Sequence, residues 1–355
     1  MIPASFYHII YLIVIIVSTI FIVNSYLATK LKRSKYSHTF YIPIILIILF
    51  LIIFIGFRPI SNSFGDTRDY AKAYDLLWGG YFYFDRNATN LIFQNLFDWM
   101  SSKKIPLEYF FTLIAGIYFG GILVSQLKLF PRDTFLAVIV YLGAFSTFSY
   151  GTNGIKAGAA ASIFLMALAY KDKLYIALPL LIASLGFHHS MKVPIVGFII
   201  AYFFKKPKWY FYLWITCLLL AAAHVTTFLN IFSELSSEGA VYLDDTSREN
   251  KIVSGFRIDF YLYSAIPIIL GYIILVKKKI KDSTYSFIFC IYVFCNSIFL
   301  LCTYGTYINR IAYLSWSMYP ILILYPLINI SWHHQQTKFF TYFIYGHLGL
   351  TLLMS

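Results

Sequence analysis

YHIIYLIVIIVSTIFIVNSYLA, residues 7–28, decides the class of this protein. Twenty-two residues pass without Asp, Glu, Lys or Arg. A helix of that length rises about 33 Å, enough to cross a hydrocarbon core of about 30 Å. No basic region precedes the run and more runs follow it, so it reads as a retained first helix rather than a cleaved leader. The same test along the chain gives about twelve candidate spans. They fall near 7–29, 40–57, 107–128, 133–150, 154–170, 174–187, 190–204, 209–229, 259–276, 284–304, 308–329 and 338–354. The sixth and seventh are short. No internal repeat or low-complexity linker divides them, so the expectation is an all-α polytopic membrane protein, a single transmembrane domain over 1–355.

Composition agrees. The 355 residues are 60% hydrophobic and 20% aromatic but only 12% charged, with a mean hydropathy of +0.72. Soluble domains are about 45–50% apolar and about 25% charged. A soluble enzyme, a disordered chain and a secreted disulfide scaffold are excluded. Cys217, Cys290, Cys295 and Cys302 all sit in apolar runs, with no CxxC and no His at zinc-ligand spacing. They read as small core hydrophobes, and no metal or other cofactor is expected.

The net charge of +13 is an orientation signal. With the loop after the first span placed inside, 16 of the 28 Lys and Arg are cytoplasmic. Only Asp133, Asp172 and Asp282 accompany them, so the inner side carries +13 and the outer side none. The surplus reads as topology and not as a nucleic-acid surface, and both termini are expected outside. Inner loops are short and basic. Two outer loops are long, about 58–106 and 230–258, and mix both charge signs with aromatics. Long mixed loops are where a site is expected, with amphipathic helices in the first of them.

Four outer constellations stand out. The first runs from Arg58-Pro59 through Gly65-Asp66-Thr67-Arg68-Asp69-Tyr70. Pro59 ends a span, Gly65 permits a tight turn, and an amphipathic helix follows. Asp66 suits the N-cap with Asp69 at N3, a near-capping box, and a helix N-terminus also attracts phosphate. Arg58 either snorkels or binds an anion. In the second, Asn153-Gly154-Ile155-Lys156 leads into a Gly/Ala-rich helix. A cation in the first turn opposes the helix dipole, so Lys156 either snorkels or holds an anion there. In the third, Phe187-His188-His189-Ser190 closes the sixth span. Adjacent His cannot share one helix face, which argues against a zinc pair but allows one of them as an acid/base or sugar contact. In the fourth, Asn309-Arg310 opens the eleventh span, where charge is costly and usually functional. Arg257 and Asp259 read as an ordinary ion pair.

No Walker A loop, GxSxG elbow, HExxH or dinucleotide fingerprint occurs. No acid or base lies deep within a span, as an ion-coupled carrier needs. Arg and Lys suit diphosphate, Tyr and Phe suit sugar rings, and membrane helices suit a lipid tail. The substrate class that combines these is a polyprenyl-diphosphate-linked glycan, already activated and independent of nucleotide.

Arg58…Gly65-Asp66-Thr67…Tyr70, Asn153-Gly-Ile-Lys156, Phe187-His188-His189-Ser190 and Asn309-Arg310, in that order, resemble the EpsG-like branch of Wzy-type polysaccharide polymerases, the O-antigen and exopolysaccharide polymerases of bacteria. The resemblance covers about residues 50–325. Two departures stand out: Lys156-Ala157 replaces Arg-Gln, and the first long loop lacks an obvious Glu, with Asp85 or Asn90 nearest. The resemblance implies a GT-C-type glycosyltransferase of the bacterial inner membrane. It would join undecaprenyl-diphosphate-linked repeat units at the outer face, in concert with a chain-length regulator. Diphosphate and sugar would be held by Arg58, Asp69, Tyr70, Asn153, Lys156 and Arg310. Asp66, His188 or His189 would take the acceptor's proton. The rivals are a lipid-linked oligosaccharide flippase, an O-acyltransferase and an O-antigen ligase, which shares the donor.

Overall fold

The computed structural model describes residues 2–31, 41–227, 257–305 and 308–354. The expected outer loop 230–258 lies outside them except for its last two positions, as do the inner cations Lys32, Arg33 and Lys35. Among the described residues all regular structure is helical: α1 (Ala4–Leu31), α2 (Tyr41–Gly56), α3 (Thr67–Leu76), α4 (Leu91–Ser102), α5 (Leu107–Leu129), α6 (Thr134–Leu142), α7 (Phe145–Thr152), α8 (Ile155–Ala169), α9 (Leu174–Phe187), α10 (Lys192–Phe203), α11 (Pro207–Ala222), α12 (Ile258–Tyr272), α13 (Ser283–Leu301), α14 (Ile308–Trp316), α15 (Tyr319–Asn329) and α16 (Gln336–Met354).

By length and composition five stretches can cross a bilayer: Ala4–Ala28, Leu107–Leu129, Ile258–Lys277, Ser283–Leu301 and Ile308–Asn329. A sixth arises if α6 and α7 form one broken span. Other apolar helices, such as Tyr41–Gly56 and Ile155–Ala169, are shorter. The chain divides into two compact units, Met1–Lys192 with Thr337–Ser355, and Val193–Gln336.

In the first unit α1 shows why its residues need lipid. Tyr7, Tyr11, Ile15, Thr19 and Ile22 form a buried stripe at helical spacing, while Ile9, Ile13, Val17 and Phe21 on the other side are exposed. An apolar face of that size is stable in hydrocarbon and not in water. Toward the centre, α8 is buried almost all round. Its small residues allow close approach: a Cβ on Gly121 of α5 would meet Ser162, and Ser184 Oγ of α9 donates to Ala160 O at 2.7 Å.

The expected fourth span, 133–150, is not one straight helix. α6 and α7 meet at a 74° bend after Gly143. A break inside a membrane helix frees carbonyls that lipid cannot satisfy. Here each has a donor. Gly143 N–H and Ala144 N–H return to Ile139 and Tyr141. His347 Nε2–H donates to Val140 O at 3.0 Å and Thr351 Oγ1 to Gly143 O at 2.7 Å. Tyr11 OH reaches Leu142 O. Below the bend Tyr118 OH donates to Thr147 O at 3.1 Å. Two helices distant in sequence, α1 and α16, thus stabilise the bend that aims α7.

The second unit has its own polar core. Trp214 Nε1 of α11 donates to Asn296 Oδ1 of α13 at 2.8 Å, and Asn296 Nδ2 donates to Ser315 Oγ of α14 at 3.1 Å. Trp316 Nε1 donates to Ser264 Oγ of α12 at 2.8 Å. Lysines here lie against rings, as Lys278 does within 5.6 Å of Trp332 and Lys277 within 5.9 Å of Tyr272.

The bend makes a direct prediction. Thr351→Val removes one donor and strands a buried carbonyl, at a cost of about 1–3 kcal/mol. Thermal unfolding in detergent should show a clear fall in Tm for Thr351→Val and little change for Leu353→Val, whose side chain is exposed. Equal Tm values for the two variants would refute the role given to that donor.

Candidate functional site

The site in the first unit is built where three loops meet the ends of short helices. α2 ends at Gly56, and Pro59 prevents its continuation. Arg58, just past that end, does not snorkel; it is 2% exposed. Its Nη1 donates to Ile55 O at 2.9 Å, and its Nη2 makes a long 3.4 Å bond to Thr67 Oγ1. Nε–H is buried without a partner. The guanidinium lies 4.1 Å from the Phe111 ring centroid and 5.9 Å from Phe64. No carboxylate among the described residues pairs with it. Burial lowers its pKa to about 10, with the phenols of Tyr70 and Tyr7 acting the other way, so it stays charged at neutral pH. A buried cation with unengaged donors and no counter-ion is expensive, which argues for a ligand and not for stability.

After Arg58 the chain makes a 3-10 turn, Asn62–Phe64, and reverses at Gly65, whose φ is +53°. That left-handed value suits glycine. The site also excludes a side chain there, because a Cβ would collide with the amide of Asn153. That amide's Oδ1 accepts from Asp66 N–H at 3.1 Å. Loop 58–66 is thereby latched onto the turn between α7 and α8. The expected capping box is absent. Asp66 occupies the N-cap position of α3 but in an αR conformation, with no capping bond from its carboxylate. The Asn153 contact governs the turn geometry instead. Asp69 is exposed on the first turn of α3.

Tyr70, one turn into α3, lies among aromatic rings, 6.0 Å from Phe93, 6.1 Å from Phe97 and 6.3 Å from Phe111. Lys156, half-buried in the first turn of α8, places Nζ 5.9 Å from the same Phe93 ring. Arg58 and Lys156 therefore bracket one aromatic cluster, each over a different ring of it.

The histidines complete the group. α9 ends at Phe187, and His188 is extended (φ −152°, ψ 124°), so helical spacing no longer separates the two rings. They stack at 4.7 Å. Ser190 N–H donates to His188 Nδ1 at 3.2 Å, and Ser190 Oγ lies 2.6 Å from it. His189, nearly buried, donates both its backbone N–H (3.0 Å) and Nδ1–H (3.2 Å) to Asn90 Oδ1. In the neutral ring that arrangement leaves Nε2 as the basic nitrogen.

Asn90 is thus a positioning residue for His189. It stands at the N-cap position of α4, where its side chain makes no capping bond. Phe93 and Phe111 were equally hidden, since an aromatic on an apolar stripe normally signals core. Asp85 forms a turn of its own, accepting from Asn87 N–H at 2.8 Å. Arg310 is exposed in the first turn of α14 and belongs to the second unit. Arg257 and Asp259 form the expected exposed ion pair. Among the described residues no three His, Cys, Asp or Glu side chains converge as metal ligands.

An all-helical fold with several bilayer-length apolar helices defines a polytopic membrane protein. The chain belongs to the EpsG family, whose model matches residues 41–354. The members are membrane proteins of the Wzy-like polysaccharide polymerase type, in agreement with the resemblance carried by the outer motifs. No curated protein and no solved structure matches the chain.

The latch can be tested by a double-mutant cycle. Gly65→Ala is expected to cost about 1–3 kcal/mol from backbone strain plus the Asn153 collision. In an Asn153→Ala background the collision vanishes and only the strain remains, giving a coupling of about 0.5 kcal/mol or more in thermal unfolding. Strict additivity would rule out the latch.

Proposed function

We propose that the protein is a glycosyltransferase that polymerises undecaprenyl-diphosphate-linked oligosaccharide units at the outer face of the bacterial inner membrane. The observation that carries this reading is Arg58, a buried guanidinium with an unpartnered Nε and no paired carboxylate among the described residues, facing the same aromatic cluster as Lys156. Family membership supports the polymerase class. In this reading the full topology is the twelve-span, GT-C-like one expected from the sequence, with both termini outside and a chain-length regulator as partner.

The donor diphosphate is held by Arg58 and Lys156. Its oxygens displace the weak Thr67 bond and engage the open donors of Arg58, opening the Phe64 loop that sheaths the guanidinium. Sugars pack on Tyr70, with Asp69 and Asn153 at the polar rim. The acceptor hydroxyl oxygen attacks the anomeric carbon. The bond from that carbon to the diphosphate oxygen breaks, and undecaprenyl diphosphate leaves with the bonding electron pair. The hydroxyl proton passes to His189 Nε2, with Asp66 and His188 as the alternative acceptors. The two cations stabilise the charge that grows on the leaving group.

The test is the surface-polysaccharide ladder of a host lacking the gene, complemented with variants. Arg58→Ala is expected to lower polymerisation by about 10²–10³-fold, the scale for losing one preorganised donor to a developing anion. Arg58→Lys should recover only part of it, since it keeps the charge but not the planar fork. Asp66→Asn and His189→Gln should separate the candidate bases. Wild-type ladders from Arg58→Ala would defeat the site. Repeat units trapped on the inner leaflet of the deletion strain would favour a flippase instead.

A further inference from the structure

We propose that a groove on the outside of α4 holds the polyprenyl chain of the lipid-linked substrate, an inference that rests on the polymerase reading and adds a tail subsite to it. The groove has a volume of about 300 Å³ and is walled by Phe82 and Phe84 on one side and Ile92, Leu96 and Trp99 of α4 on the other. Its lining is almost wholly apolar. Asn95, the polar member, turns its amide to the backbone: Nδ2 donates to Asp85 O (2.9 Å) and Leu91 O (2.7 Å), and Oδ1 accepts from Asp85 N–H (2.7 Å). The interior of the groove therefore offers hydrocarbon and nothing to hydrogen-bond a sugar or water.

What selects the occupant is the other face of the same helix. Ile92, Leu96 and Trp99 follow one another at helical spacing and face the groove. Phe93, Phe97 and Met100 do the same on the adjacent, buried face, about 100° round the helix, where Phe93 lies under Lys156 and both Phe93 and Phe97 lie against Tyr70. Both faces begin in the first turn of α4, at Ile92 and Phe93, just after the Asn90 that holds His189. A ligand that fits both needs an anionic head at the cations and an apolar tail beginning within a helix turn of it. A polyprenyl diphosphate has that chemistry.

The outer wall is held in place without the ligand. Besides the Asn95–Asp85 bonds, Gly79 N–H donates to Ser101 O at 3.1 Å, and Tyr74 OH donates to Ile105 O at 2.7 Å. The segment carries Tyr81 and Tyr83 at 92% and 81% exposure, an aromatic rim suited to the bilayer interface.

The test uses the full-length protein in nanodiscs with a diazirine-bearing polyprenyl diphosphate. Photolabelling is expected on the peptides holding Phe82, Phe84, Leu96 or Trp99. It should be suppressed by undecaprenyl diphosphate and not by phosphatidylglycerol. Leu96→Trp, which fills the groove, should lower kcat/KM for an undecaprenyl-linked substrate by about fivefold or more while sparing one whose diphosphate carries only a methyl group, as expected from the loss of one or two buried methylene contacts. Equal suppression by phospholipid makes the groove an ordinary bilayer contact and overturns the proposal, as does equal loss on long and short tails. If the wild type makes no polymer from either substrate, the polymerase reading fails, and the labelling pattern still decides the groove.

Discussion

The first unit depends on one requirement, that no backbone carbonyl stay unpaired in hydrocarbon. Between Ile139 and Gly143 the chain bends by 74°, and the carbonyls it exposes are taken by Tyr11, His347, Thr351 and local N–H groups. Because α7 leaves the bend in a fixed direction, Asn153 arrives where Gly65 can meet it. Because Asn153 holds Gly65 and Asp66, α3 starts where Tyr70 reaches Phe93 and Phe111. The site is the last link of a chain of constraints that begins in the membrane interior.

The electrostatics follow the opposite logic. Several polar side chains elsewhere are matched: Asn296 with Trp214 and Ser315, Asn95 with Asp85, Arg257 with Asp259. Arg58 alone among these is a buried charge whose neighbours are rings, a hydroxyl and a carbonyl. Cation–ring contacts offset only part of the desolvation cost. A fold that satisfies carbonyls this carefully yet leaves a guanidinium without an anion has placed that cation for something it does not itself contain.

The sequence reading and the structure agree on class and on most helix positions. Local signals carry these: apolar runs, Pro59 after α2, Gly65 before a reversal, Asn153-Gly154 before α8. What escaped is set by distance along the chain. The bend at Gly143 lies inside an apolar run indistinguishable from a straight span, and its donors, His347 and Thr351, lie about 200 residues away. Asn90 stands out in the sequence only as one of the two residues nearest to a missing Glu, because its partner, His189, is ninety-nine positions on. Helix periodicity does not govern the two His rings, because the helix has already ended at Phe187. Asp66 has the right residue type for a cap, but its backbone is held by Asn153 in a geometry that does not permit it.

The first unit is also discontinuous, with its closing segment Thr337–Ser355 separated from the rest by the whole of the second unit. During synthesis, residues 4–192 enter the membrane with the carbonyls of Val140 and Gly143 still lacking His347 and Thr351. Those donors arrive only after another hundred and forty-four residues, 193–336, have been inserted. The bend must therefore wait, either shielded by an insertion factor or held as a straight helix that breaks late. In biogenesis α16 acts as a clasp, and the loops around Arg58 acquire their final geometry only after the whole of the second unit has been made.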